Sequence, residues 1–249
     1  MTEPDRRFAQ SRSFGVAAQV YERSRPPYPA EAVAWLLPGH ADHVLDLGAG
    51  TGKLTRQLTD GRRRVVAVEP LAAMRDVGSR AVQGVEFLAG TAEDIPLEDS
   101  SVDVVLVAQA WHWMDAQRTV PEVARVLTPG GRLGLVWNDR DVRVDWVREL
   151  SRVMHEGTAG SPDDDEPSIG APFGPMQTFT VEWVHRIVPQ TLLDMVTTRS
   201  YFMTASAAQQ TETLAAVRTL LATDPQLAGR AEIALPYLTR CFRADLVDG

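Results

Sequence analysis

Three glycines at alternate positions, Gly48, Gly50 and Gly52 in VLDLGAGTGKL, end an apolar run and open a helical one. Glycines at such a junction permit a sharp strand-to-helix turn and let a ligand approach the backbone closely. Glu69 ends the next apolar run, VVAVEP. An acid at the tip of a second strand can accept hydrogen bonds from both hydroxyls of a ribose. Apart, the loop is a turn and Glu69 a helix-start acid; together they describe a seat for a nucleotide-like ligand. A P-loop is excluded, because Leu47 and Leu54 stand where a glycine and a Ser or Thr are required. The third glycine comes one residue early for the GxGxxG of a dinucleotide site. That spacing weakens a pyrophosphate reading and leaves it open.

The elements that must carry this seat alternate regularly. HVLDLGAG, RRVVAVEP, VEFLAGTA, SVDVVLVAQA and GRLGLVWN read as strands. KLTRQLTD, LAAMRDVGSRA and the stretch from Arg118 to Leu127, which stops at TPGG, read as helices. Strands separated by single helices predict a parallel sheet covered on both faces. Before them, residues 1–14 read as loosely ordered and 15–37 as a helical lead-in broken by Pro26, Pro27 and Pro29. After them, VDWVRELSRVMHEG reads as an amphipathic helix and 157–175 as a surface loop. FTVEWVHRIV reads as a strand, with helices near 190–203 and 209–223 and a closing strand in IALPYLTRCFRADL. The expected fold is α/β: a Rossmann-like, doubly wound, seven-stranded mixed sheet with helices on both faces, in a single domain with N-terminal lid helices. Residues 1–37 form the lead-in and 38–249 the domain, with a cofactor half at 38–140 and a substrate-side half at 141–249.

Composition narrows the partners. The chain has 249 residues, 44% hydrophobic and 23% charged, and carries a net charge of −8. That is a globular composition with no basic face for a phosphate backbone, so no nucleic acid is expected as partner. Arg62–Arg64 is too short to alter this and reads as a solvated turn. The single cysteine, Cys241, excludes an intrachain disulfide and a multi-cysteine zinc site. No secretory h-region and no apolar run of membrane-spanning length is visible, so a cytoplasmic location and no membrane partner are expected. The acidic run Asp163 to Glu166 reads as a solvated loop, and no metal is expected.

LDLGAGTG, the acid ending the second strand, GTAEDIPLEDSSVDVV and RVLTPGGRLGLV occur in the order and spacing of class I S-adenosylmethionine-dependent methyltransferases, across residues 40–140. The chain resembles that family, of the type 11 kind. FGVAAQVYERSRPPYP and QAWHWMD are similar to the small-molecule subgroup that includes trans-aconitate methyltransferases. The resemblance implies S-adenosyl-L-methionine as cofactor, with Gly48, Ala49, Gly50 and Gly52 under its methionine part. Asp46 would hold the methionine amino group and Glu69 the ribose diol. Pro70, Leu71 and Met74 would flank the adenine, although plain core packing also explains the last two. Ala92 and Glu93 would meet the adenine edge. Many relatives carry Asp where this chain has Thr91, which is otherwise a turn residue. Gln109 would line the methionine end.

Transfer of a methyl group from a sulfonium is an in-line displacement that needs alignment and exclusion of water more than titrating groups. YERSRPPYP would form a lid, in which Tyr21 offers a ring to the sulfonium. Arg25 would pair with the cofactor carboxylate or an acidic substrate. Tyr28, Trp111, Trp113, Arg199 and Tyr201 are candidates for substrate contact. His112 is the candidate base for a hydroxyl acceptor; a carboxylate acceptor needs none. His155 and His185 have no supporting context. The leading expectation is a monomeric or homodimeric methyltransferase for a small organic acid or hydroxylated metabolite. A nicotinamide-dependent oxidoreductase and a cofactor-binding protein without catalysis are the alternatives.

Overall fold

The computed structural model describes residues 18–155 and 167–247. The expectations for residues 1–17 and 157–166, the acidic run included, lie outside the described residues, as does the side chain of His155.

In chain order the elements are α1 (Ala18–Ser24), α2 (Ala30–Leu36), β1 (His43–Leu47), α3 (Lys53–Leu58), β2 (Arg64–Val68), α4 (Ala72–Ala81), β3 (Glu86–Leu88) and β4 (Val102–Ala108). A 3-10 turn (Trp111–Trp113) follows, then α5 (Ala116–Val126), β5 (Leu127–Arg140), α6 (Asp145–His155), β6 (Gln177–Ile187), α7 (Pro189–Thr197), α8 (Ser200–Thr204), α9 (Ala207–Thr223) and β7 (Ile233–Asp245). The strands form one seven-stranded mixed sheet in the order β3-β2-β1-β4-β5-β7-β6. β1 runs parallel to both β2 and β4, with Leu47 opposite Val68 and Asp46 opposite Leu106. β3 is parallel to β2, and β5 to β4. The reversal of strand order beside β1 is the doubly wound arrangement, whose ligands bind at the carboxyl ends of the strands.

Local boundaries depart from the sequence reading for identifiable reasons. β3 stops at Leu88, because the chain turns at Gly90, where a Cβ would run into Pro96, and Thr91 pairs back with Asp94. α5 starts at Ala116, where Asp115 caps it by accepting from Gln117 N–H at 3.1 Å. The helix expected at 190–203 is two, because Thr198 turns its hydroxyl onto Met195 O and Arg199 is extended. TPGG lies inside β5 as an irregularity, the register jumping from Val102↔Leu127 to Val104↔Arg132.

Two compact units emerge, each with its own core. The glycine-loop unit takes Pro27–Asn138, Pro162–Val181 and Thr239–Gly249. Its core gathers Leu45, Leu47, Val105, Val107, Leu133, Leu135, Trp137 and Phe242. Asn138 is its polar hub: the side chain donates to Pro27 O at 3.0 Å and accepts from Thr239 Oγ1 at 2.5 Å, while Gln109 Nε2 donates to its carbonyl at 3.1 Å. In β7 the fully buried Cys241 belongs to this unit, and burial pushes its thiol up to about 12.

The helical unit takes Met1–Pro26, Asp139–Ser161 and Glu182–Leu238. Trp146, Leu150, Met154, Leu192, Met195, Val217, Leu235 and Tyr237 build its core. α1 is tied to α7 by the Arg23–Asp194 ion pair at 3.1 Å. The divisions fall at Pro26/Pro27 and Asn138/Asp139, and the last strands contribute residues to both units. No helix among the described residues is long and apolar enough to cross a membrane. Among the same residues no cluster of metal-ligating side chains occurs.

Candidate active site

Parallel pairing of β1, β2 and β4 brings their carboxyl ends to one edge of the glycine-loop unit. There Gly48 N–H and Ala49 N–H both donate to Val68 O, at 2.8 and 3.1 Å, which fastens the loop to the end of β2. Gly48, Gly50 and Gly52 all have positive φ. A Cβ on Gly48 would meet Ala110 Cβ at 2.9 Å and Met114 Cε at 3.2 Å, so the loop packs on the segment after β4. A Cβ on Gly50 would meet nothing within 4 Å. Open space therefore lies over the middle of the loop, where a ligand can reach the backbone.

Two acids face this loop. Glu69, 6% exposed, accepts from Gly50 N–H through Oε2 and from Leu71 N–H through Oε1, both at 2.9 Å. Each carboxylate oxygen keeps a second lone pair for a ligand hydroxyl. Burial raises the Glu69 pKa, opposed by those two amides and by Arg75. Arg75 Nη1 also donates to Glu69 O and Pro70 O, at 2.7 and 2.8 Å, holding the turn after β2. Asp46 is 0% exposed; its Oδ2 accepts from Thr55 Oγ1 at 2.6 Å, and its Oδ1 has no partner among the described residues. Burial lifts this carboxyl to about 7, against the hydrogen bond from Thr55.

The remaining expected cofactor residues of this unit lie along the same edge. Leu71 is half-buried at the start of α4, and Met74 is buried. Thr91 is exposed and Ala92 buried in the turn after β3. Glu93 Oε1 accepts from Asp115 N–H at 2.9 Å, so this acid braces the start of α5. Gln109 sits at φ 56, unusual for a non-glycine residue, with its N–H on Val136 O at 3.0 Å. Such strain concentrates at functional sites. Trp111 is buried, whereas His112 and Trp113 are half-buried, their ring centroids 4.7 Å apart. Tyr28 is 7% exposed and fixed by a reciprocal pair with Gln57, at 2.8 and 2.7 Å.

Tyr21, Arg25, Arg199 and Tyr201 belong to the helical unit. Arg25 lies over the Tyr21 ring at 4.8 Å and donates to Thr198 O at 3.4 Å. Its charge acts with that of Arg199 on Arg140, at the end of β5, which burial and these neighbours depress to about 10. Burial raises Tyr201 to about 12 and raises Tyr237 as well. Three of the four residues singled out from this unit, Arg25, Arg199 and Tyr201, thus share one cluster with Arg140 and Tyr237. Sequence reasoning passed over those last two. A visible signal existed for each: Arg140 is a charge closing an apolar strand, and Tyr237 has the inward parity of Ile233, Leu235, Thr239 and Cys241. Thr55, Arg75 and Asn138 were missed as well: Asn138 acts through a contact 111 residues away, whereas Thr55 and Arg75 reach Asp46 and Glu69 across nine and six residues.

A glycine loop at a switch point with an acid after β2 defines a Rossmann-like α/β protein that binds a nucleotide-type cofactor. The sequence profile of a methyltransferase domain matches residues 45–135. The chain is 55% identical over 236 residues to an uncharacterized methyltransferase of Mycobacterium tuberculosis, covering 95% of this chain and 96% of the relative. It is 30% identical to a methyltransferase-like protein of Schizosaccharomyces pombe, covering 94% and 95%. In fold it is similar to a proposed type II methyltransferase from Anaeromyxobacter dehalogenans, with a TM-score of 0.61 at 23% identity, covering 90% of this chain and 99% of that one.

The chain belongs to the class I S-adenosylmethionine-dependent methyltransferase family. Membership settles the alternatives left open by the glycine spacing: the protein is a methyltransferase and not a nicotinamide-dependent oxidoreductase. The open space over Gly50, the unpartnered Asp46 Oδ1 and the spare lone pairs of Glu69 suit the cofactor of that family.

Proposed function

We propose that this enzyme transfers the methyl group of S-adenosyl-L-methionine to an oxygen of a small molecule, either a carboxylate or a hydroxyl. His112 carries the reading: it sits on the turn after β4, next to Ala110 and Met114, the residues against which Gly48 packs. A malonyl-[acyl-carrier protein] O-methyltransferase of Pectobacterium atrosepticum, 33% identical over 135 residues and matched over 53% of each chain, supports an oxygen acceptor. The net charge of −8 favours a small acceptor over a polyanion. The same reading keeps the enzyme in the cytoplasm as a monomer or homodimer, without nucleic acid or membrane.

When bound, the cofactor supplies an electrophilic methyl carbon on a positively charged sulfur. Asp46 would hold the amino group through Oδ1, and the backbone of Gly48, Ala49, Gly50 and Gly52 would seat the methionine part. Glu69 would take the ribose hydroxyls, Leu71 and Met74 the adenine faces, and Ala92 the adenine edge. The methyl would pass to a lone pair of an acceptor oxygen, and the electrons of the broken carbon–sulfur bond would stay on sulfur. For a hydroxyl acceptor His112 takes the proton, worth about 10²–10⁴ in rate. A carboxylate acceptor has no proton to lose, and His112 then only orients it.

Mass spectrometry of reactions with a panel of organic acids and hydroxylated small molecules tests this. A product heavier by one methylene, formed only with S-adenosylmethionine, is expected. Methylation of protein or nucleic acid instead of any small molecule would sink the reading.

A further inference from the structure

The helical unit holds a cluster that the cofactor seat does not account for. Arg140 spends Nε on Ser151 Oγ at 3.1 Å, while its Nη1 is shut off from water and has no partner among the described residues. Arg199 Nε is equally buried and has no partner among the described residues. Tyr237, 2% exposed and stacked on Trp183 with centroids 5.4 Å apart, has a hydroxyl with no partner among the described residues. The charges of Arg25, Arg140 and Arg199 all bear on Tyr201 and Tyr237, and Asp139 is the acid that acts on Tyr237.

Like charges gathered away from water repel, and each buried donor left without an acceptor costs roughly 1–3 kcal/mol. An oxyanion reverses both terms at once, since planar guanidinium donors match carboxylate and phosphate oxygens. We propose that Arg140, Arg199 and Tyr237 form a binding site within the helical unit for an anionic group, a carboxylate or a phosphate. Arg25 and Tyr201 complete the same electrostatic surround.

Calorimetric titration of the full chain with inorganic phosphate and with tricarballylate, at ionic strength fixed with chloride, tests the site. Saturable binding of at least one probe is expected, and the two probes separate a phosphate handle from a carboxylate one. Arg140→Gln and Tyr237→Phe should each weaken that binding at least tenfold, whereas Arg186→Gln, an exposed arginine paired with Glu232, should not. Affinity for S-adenosylmethionine should stay unchanged in all three. Tyr237→Phe removes one oxygen and so keeps the test sound if Arg140→Gln folds poorly. Neither probe binding to a chain that binds S-adenosylmethionine, or variants that bind as the wild type does, would overturn the proposal.

Discussion

Glu69 Oε2 accepts the Gly50 amide at 2.9 Å, so the acid proposed to take a ribose also fixes the centre of the glycine loop. With a ribose bound there, binding and loop shape would be coupled through one carboxylate, whose other oxygen holds the start of α4 through Leu71.

Replacing that carboxylate separates the two duties. Glu69→Gln keeps one acceptor oxygen and should fold, yet lose at least tenfold in S-adenosylmethionine affinity, about 1.4 kcal/mol. Glu69→Ala leaves two amides unsatisfied and should also lose about 1–3 kcal/mol of stability. Titration calorimetry and denaturant melts measure the two losses. Unchanged affinity in both variants would remove Glu69 from the cofactor seat.

Asp46 should make stability fall as pH rises. Its folded carboxyl holds a proton up to about 7, whereas the unfolded one releases it near ~4. Between these values the folded state binds more protons, so stability drops by up to about 1.4 kcal/mol per pH unit. Asp46→Asn should flatten that slope relative to wild type, as read from urea midpoints at about pH 4.5 and about pH 7. Equal slopes would mean that Asp46 is ionised throughout.

Two glycines should fail in opposite ways. Gly50→Ala places a methyl in open space at φ 57, costing about 1–2 kcal/mol in strain while obstructing the cofactor. Gly78→Ala, inside α4, drives a methyl into the Phe87 ring. Overpacking of about 1–3 kcal/mol should outweigh the helix preference of alanine, about 1 kcal/mol. Melting curves and cofactor titrations should show affinity lost in the first variant and stability in the second.

Asn138→Ala should destabilise the fold by about 1–3 kcal/mol, because the hydrogen bonds to Pro27 O and from Thr239 Oγ1 inside the glycine-loop unit are lost. Asn138→Asp, which keeps the acceptor for Thr239 and removes the donor to Pro27, should fall between. Chemical denaturation at neutral pH ranks the three proteins. Alanine and wild type melting together would show that the hub is dispensable.

The glycine loop and its contact with the acid after β2 were legible because they are local. Gly48 to Gly52 and Glu69 meet through backbone and strand termini, and their spacing carries the geometry. Five parallel-type strands and their helices followed from apolar runs and breakers for the same reason. The contact of Glu93 with Asp115 N–H was not legible, since the two lie 22 residues apart in sequence. Arg140 and Tyr237 come from strands almost a hundred residues apart, and their meeting is a property of the folded helical unit. The anchoring of the Tyr28 backbone by Gln57 was not legible either, since the two lie 29 residues apart.

Cys241 has a practical bearing. As the chain's single thiol, wholly enclosed in β7 and protonated at any ordinary pH, it is silent toward electrophiles while the strand is in place. Its labelling by a fast reagent therefore times the opening of that strand, a built-in clock for local unfolding that needs no engineered probe. Conversely, a cysteine introduced on the surface would be the sole reactive position in the native protein.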